Sequence, residues 1–142
     1  MSDPLLRAPD FDKSFLVTTD ASERGVGAVL MQEGPDQEFH HFMFLSKKLS
    51  ERESHWSISK KECYAIVYAL EKLHPYVWGR RFQLQTDHAV LKWLHTVQGN
   101  NKKLLGWSLA LQDFDFEIQH IPGTSNKVAD AHSYESFPES TG

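Results

Sequence analysis

The sequence predicts an α/β domain built on a five-stranded mixed sheet, three antiparallel strands first and parallel additions after them, with helices on both faces. Three observations carry this. Strand-length apolar runs recur early, as "FLVTT", "VGAVLMQ" and "FHHFMFL". The apolar period then lengthens from Ser59, where Cys63, Ile66, Val67, Leu70 and Leu73 recur at three- and four-residue steps. Beyond that helix, strand-like and helix-like segments alternate, the order of a sheet whose faces are covered by helices.

Taken in order, residues 1–13 are punctuated by proline and acids and read as a lead-in from an upstream region. Phe15–Thr19 and Val26–Gln32 are strands joined by "DASERG", a hairpin-sized connection containing Gly25. "EGPDQE" is a turn, Phe39–Leu45 a third strand, and "SKKLSERESHWS" a polar loop. The long helix opens at Ser59 and is closed by Pro75 and Gly79. Phe82–Thr86 is a fourth strand, "AVLKWLHT" a helix, "GNNKK" a break, Leu104–Gln112 a helix and Phe114–Ile121 a fifth strand. "PGTSN" then turns into a last helix, capped by Ser125 or Asn126 and running to about Ser136. The expected domain is 14–136, with 137–142 a tail.

A chain of 142 residues buries an ordinary core without covalent staples. Its 40% hydrophobic and 24% charged content are those of a globular domain. Cys63 is the single cysteine, which excludes a disulfide framework and a thiolate metal cluster. No apolar stretch approaches membrane-span length, so no membrane partner is expected. The net charge of −4 argues weakly against a strong free-standing nucleic-acid binder. Basic residues nevertheless come in pairs, Lys47-Lys48, Lys60-Lys61, Arg80-Arg81 and Lys102-Lys103. Such pairs suit phosphate contacts, and equally suit a solvated surface.

Four acids fall at element boundaries: Asp20 at the end of the first strand, Glu62 in the first turn of the long helix, Asp87 after the fourth strand, and Asp130 early in the last helix. Each has an ordinary explanation. Asp20 suits a turn, Glu62 a capping box with Ser59, Asp87 the cap of the following helix, and Asp130 the positive end of a helix dipole. If the first and fourth strands are neighbours, however, Asp20 and Asp87 emerge together, and Glu62 and Asp130 can be brought over them. Clustered carboxylates repel one another unless a cation intervenes, and all-oxygen donors select Mg²⁺ or Mn²⁺. Two such ions form a clamp for attack at a phosphodiester.

The strings "TDAS", "GVGAVLMQ", "FLSKKLSERESHWSISKKECYAIVYALEKLHPYVWGRRFQLQTDHAVLKWL" and "FDFEIQHIPGTSNKVADA" resemble the ribonuclease H domain of gypsy-type LTR retrotransposon reverse transcriptases, over roughly Pro9 to Ser133. The resemblance implies a ribonuclease H-like fold and matches Asp20, Glu62, Asp87 and Asp130 to the family's metal-binding acids. It implies endonucleolytic hydrolysis of the RNA strand of an RNA–DNA hybrid, with two Mg²⁺ ions as cofactors and Mn²⁺ as a substitute, leaving 5′-phosphate and 3′-hydroxyl ends. It also implies an upstream reverse transcriptase polymerase domain as partner in the parent polyprotein, and a cytoplasmic virus-like particle as location. Ser22, Ser59 and Asn126 are the matching candidates for substrate contacts. His120, ten residues before Asp130, is placed for product release or proton shuttling.

One stretch departs from the family's pattern: "ADAHSY" stands where "ADALSR" is common, with His132 in place of an apolar residue and Tyr134 in place of arginine. This motivates an alternative, a domesticated, weakly active or inactive ribonuclease H-like module retained for binding or scaffolding in a host protein, with a nuclear location then possible.

Overall fold

The computed structural model of the chain describes residues 13–97, 99 and 101–119. Three strands, β1 (Phe15–Ala21), β2 (Gly25–Glu33) and β3 (Phe39–Lys48), form the expected antiparallel meander. β1 and β3 run past their expected ends at Thr19 and Leu45. Backbone pairing continues through polar residues that an apolar pattern does not mark: Asp20 lies opposite Gly27, and Lys47 opposite Val26. The β1–β2 turn is tight. The Ser22 N–H donates to the Gly25 carbonyl at 2.7 Å, and the Ser22 hydroxyl accepts from the Gly25 N–H at 3.1 Å.

The stretch expected as a loop after β3 contains a short helix, α1 (Glu51–Ser54). Four residues show no periodicity, but the cap is written in the sequence. Ser50 and Glu53 form a capping box, with the Glu53 N–H on Ser50 Oγ at 3.1 Å and the Ser50 N–H on Glu53 Oε1 at 2.9 Å. The long helix α2 (Ile58–Lys72) begins one residue earlier than expected. Ser57, not Ser59, is its cap, accepting from the Lys60 N–H at 3.1 Å. The expected Ser59–Glu62 capping box is therefore corrected: the third helical residue is Lys60, and Glu62 is not a capping residue.

A single turn, α3 (His74–Val77), carries Pro75 at its start, where a missing N–H costs nothing. Gly79 then adopts φ +81°, a left-handed conformation that favours glycine, and leads into β4 (Arg81–Gln85). α4 (His88–Val97), α5 (Lys102–Gln112) and β5 (Asp115–Gln119) complete the described fold. The expected last helix lies outside the described residues. No helix among them is long and apolar enough to cross a membrane.

The sheet order is β3-β2-β1-β4-β5, with β4 parallel to β1 and β5 parallel to β4. Parallel neighbours need crossover connections, and the helices between β3, β4 and β5 provide them. α2 packs on β1 and β2 and against α4 and α5. Its apolar stripe of Cys63, Ile66, Val67, Leu70 and Leu73 meets Phe15, Val17, Ala28, Leu30, Phe82 and Leu84 of the strands, all buried. Burial pushes the Cys63 thiol up to about 12.

Ile66 is fully buried in this layer and Ile58 is 76% exposed on the same helix. Ile66→Ala should cost about 2–5 kcal/mol by urea unfolding, and Ile58→Ala no more than about 0.5 kcal/mol.

Candidate active site at the ends of β1 and β4

The parallel register of β1 and β4 sets the site. Leu16 lies opposite Gln83, Val17 opposite Leu84 and Thr18 opposite Gln85. Carried two residues further, the same register puts Asp20 level with Asp87. Asp20 still lies within β1, half-buried, and Asp87 follows β4 at the start of α4, exposed. Each aspartate is steadied by a local amide. The Ala21 N–H donates to Asp20 Oδ1 at 2.8 Å, and the Ala89 N–H donates to Asp87 Oδ1 at 2.9 Å. The capping role expected for Asp87 is thus real, and it coexists with its place beside Asp20.

Glu62 comes from the first turns of α2 and is half-buried. Burial pushes its carboxyl above the ordinary range, and the negative charge of Asp87 adds to that push. Glu62 and Asp87 therefore sense each other although they belong to different elements. The structure brings Asp20, Glu62 and Asp87 to one end of the sheet. Asp130, His120 and Asn126, and the departures His132 and Tyr134, lie outside the described residues.

Among the described residues, no three His, Cys, Asp or Glu side chains stand close enough together to hold a metal ion. The donors nevertheless suit a hard divalent cation in kind: three carboxylates from three elements, one with its charged form disfavoured by its neighbour. Each local amide takes one acceptor position on Oδ1, so these hydrogen bonds are compatible with a cation on the same carboxylate.

The two described candidates for substrate contact differ. Ser22 spends its hydroxyl on the β1–β2 turn, also donating to the Gly25 carbonyl at 3.2 Å. Ser59 is half-exposed in the first turn of α2, three residues before Glu62 and on the same side of the helix.

Lys61 is a site residue that sequence reasoning passed over as one of a solvated pair. It is 7% exposed, and its Nζ donates to the Glu23 carbonyl at 2.9 Å. The bond ties the residue before Glu62 to the turn that follows Asp20. The signal available was position alone: Lys61 precedes Ala65 and Ala69 at four-residue steps, and both of those are buried on the packed side of α2.

In its fold the chain is similar to the foamy viral protease-reverse transcriptase solved in complex with double-stranded DNA. The TM-score is 0.67 at 14% identity, over 83% of this chain and 25% of that one. It is similar also to RNase H1 from the halophilic archaeon Halobacterium salinarum, with a TM-score of 0.59 at 19% identity, over 89% and 98% of the two chains. These likenesses define the class as an RNase H fold. In sequence, the model for the RNase H-like domain found in reverse transcriptase matches residues 10–114. The Retrovirus-related Pol polyprotein from transposon 297 of Drosophila melanogaster is 42% identical over 131 residues, 92% of this chain and 12% of that protein. The Transposon Tf2-3 polyprotein of Schizosaccharomyces pombe is 39% identical over 137 residues, 94% of this chain and 10% of that protein. The chain belongs to the RNase H-like domain family of reverse transcriptases, its relatives being retrotransposon polyproteins, in keeping with the gypsy-type resemblance. It spans about a tenth of the length of those relatives.

Two outcomes follow from this geometry. The folded chain holds the Glu62 proton more tightly than the unfolded chain does, so stability from this group is full below its ordinary value of 4.5 and is lost as pH rises through the raised value. Without divalent cations, Glu62→Gln should raise the thermal midpoint at neutral pH, and the difference from the parent should vanish below pH ~4. Lys61→Met withdraws the donor from the Glu23 carbonyl and should cost about 1–3 kcal/mol in urea unfolding.

Proposed function

We propose that this domain hydrolyses the RNA strand of an RNA–DNA hybrid by endonucleolytic cleavage, leaving 5′-phosphate and 3′-hydroxyl ends, as the ribonuclease H part of a retrotransposon polyprotein. The observation that carries this reading is the parallel register of β1 and β4, which, carried two residues on, sets Asp20 level with Asp87, with Glu62 electrostatically coupled to Asp87. Membership of the reverse transcriptase family supports it, as does the capture of the foamy viral protease-reverse transcriptase, a fold neighbour, on an RNA/DNA hybrid.

Asp20, Glu62 and Asp87, with Asp130 as the fourth acid, would hold two Mg²⁺ ions, or Mn²⁺ in their place. Such ions supply a water nucleophilic at neutral pH and stabilise the leaving 3′-oxygen. The chain's own contribution is to hold the carboxylates together at one end of the sheet, where the pairing of β1 with β4 sets the level of the two aspartates. Glu62 brings a half-buried carboxyl whose charged form a cation would favour. Ser59 is the better placed of the two described serines to meet a 2′-hydroxyl, the group that separates RNA from DNA. Asn126 is a third contact to the hybrid, and His120 serves product release or proton transfer. Residues 1–13 join the domain 14–136 to an upstream polymerase domain, 137–142 form a tail, and the polyprotein works in a cytoplasmic particle.

The test is cleavage of a hybrid labelled on each strand, in Mg²⁺ and in Mn²⁺, beside the same sequence as duplex DNA. The parent should cut only the RNA strand, and Asp20→Asn and Asp87→Asn should each lower the rate at least about 100-fold. Undiminished cutting by both variants removes these acids from the mechanism. A parent that binds the hybrid but never cuts it, even joined to its polymerase domain, favours the scaffold alternative.

A further inference from the structure

We propose that Lys61 is a positioning residue for the carboxylate site: by holding the β1–β2 turn against α2, it sets the separation of Asp20 and Glu62 and with it the grip on a divalent cation. The inference rests on the proposed function, from which it takes the cation.

Asp20 stands past the last pair of β1 with β4. That ladder runs from Leu16–Gln83 to Thr18–Gln85, whereas the ladder with β2 continues to Ala21–Val26. Asp20 therefore belongs with the β1–β2 turn. The turn is stiff within itself, through the bonds that join Ser22 and Gly25. The Ala21 N–H, bonded to Asp20 Oδ1, ties the carboxylate to the same unit. Asp20 to Glu23 thus act as one piece.

Glu62 belongs to a different piece. The start of α2 is braced against α5, where Tyr64 stacks on Trp107 with centroids 5.7 Å apart. Trp56, just before α2, sets its ring edge-on to Tyr64 at 5.6 Å and steeply inclined to Trp107 at 5.8 Å. Two kinds of contact join the turn to this helix. Val26, Leu49 and Ala65 form a small buried cluster, with Ala21 and Tyr64 packed on it. Apolar contact is non-directional, so it resists separation and leaves sliding unopposed. The directional contact is the bond from Lys61 Nζ to the Glu23 carbonyl at 2.9 Å. Lys61 is itself placed on the helix by its N–H, which donates to the Ser57 carbonyl at 3.0 Å. The Leu49 N–H also holds the Arg24 carbonyl, at 2.8 Å, but that bond ties the turn to the segment after β3 and not to α2.

Lysine is seldom buried without a specific partner. At 7% exposure, Lys61 is the only polar side chain buried to this degree among the described residues. Its ammonium is aimed at the backbone of the turn and not at the acids: what pushes the Glu62 carboxyl up is burial and the charge of Asp87. Its service to the site is therefore one of position. Asp20, Glu62 and Asp87 do not close on one point by themselves, so a cation has to draw their side chains in. Side-chain rotation achieves that only over a backbone that stays in place.

The test follows Mn²⁺ binding to the full chain without nucleic acid, by the electron paramagnetic resonance signal of free Mn²⁺, alongside hybrid cleavage. Lys61→Met should weaken Mn²⁺ binding about tenfold and lower kcat by a similar factor. KM for the hybrid should not change, since a buried side chain touches no substrate. Lys61→Arg, which keeps a cationic donor, should recover most of both losses. Ile66→Val, which loosens the layer beneath α2 away from the turn, should lower the thermal midpoint and leave Mn²⁺ affinity at the parent's. Lys61→Gln, whose amide ends one bond short of the ammonium, should repeat the loss, and it replaces Lys61→Met if that variant does not fold. Parental Mn²⁺ affinity in Lys61→Met or Lys61→Gln overturns the proposal, as does an equal loss in Ile66→Val. Either result leaves the carboxylate reading standing. Asp20→Asn binding Mn²⁺ as tightly as the parent removes the carboxylate reading instead, and the proposal with it.

Discussion

Parallel hydrogen bonding between β1 and β4 joins residues that are far apart in sequence, and everything at the candidate site inherits its geometry from that pairing. A slip of one residue would send every side chain of one strand to the opposite face. Asp20 and Asp87 would then no longer stand level. Such a slip is opposed by the core, because Phe15 and Val17 on β1 and Phe82 and Leu84 on β4 must all meet α2 and its neighbours. The apolar layer thus fixes the register, and the register fixes the acids. Chemistry at this end of the sheet is held in place by contacts that have no chemistry of their own.

The same end of the sheet carries a local electrostatic cost. Glu62 is kept half-buried near Asp87, an arrangement that disfavours its charged form. A sequence selected for stability alone would replace it. Close by, Lys61 is buried with its ammonium donating to the Glu23 carbonyl. Local violations of this kind cluster where a site must do something other than fold.

Much of this architecture could be read from periodicity. The β meander, the long helix and the later alternation follow from apolar spacing, since residues such as Ile66 and Leu30 have no other way to leave water. What escaped the sequence was marked by hydrogen bonds rather than by hydrophobicity. α1 is four residues with no buried side chain, visible only through Ser50 and Glu53. The start of α2 turned on whether Ser57 or Ser59 capped it, and both serines fit a capping pattern. Asp20, Glu62 and Asp87 stand out in the sequence as boundary acids, whereas the pairing of β1 with β4 joins segments too far apart in the chain for periodicity to mark it. The meeting of Trp56, Tyr64 and Trp107 had no sequence signal, because it depends on how α5 lies across α2. Asp130 is the fourth boundary acid and His120 is marked by the family resemblance, and both lie outside the described residues.

Cys63 adds a practical consequence. Its sulfur is sealed beneath α2, fully buried, with a thiol that resists ionisation at physiological pH. A thiol-specific reagent needs both access and thiolate, and the intact fold offers neither. Because the chain has one cysteine, a single modified mass reports a single event: the opening of the layer beneath α2. The rate of that labelling in native buffer would clock how often the core breathes, with no probe introduced by design.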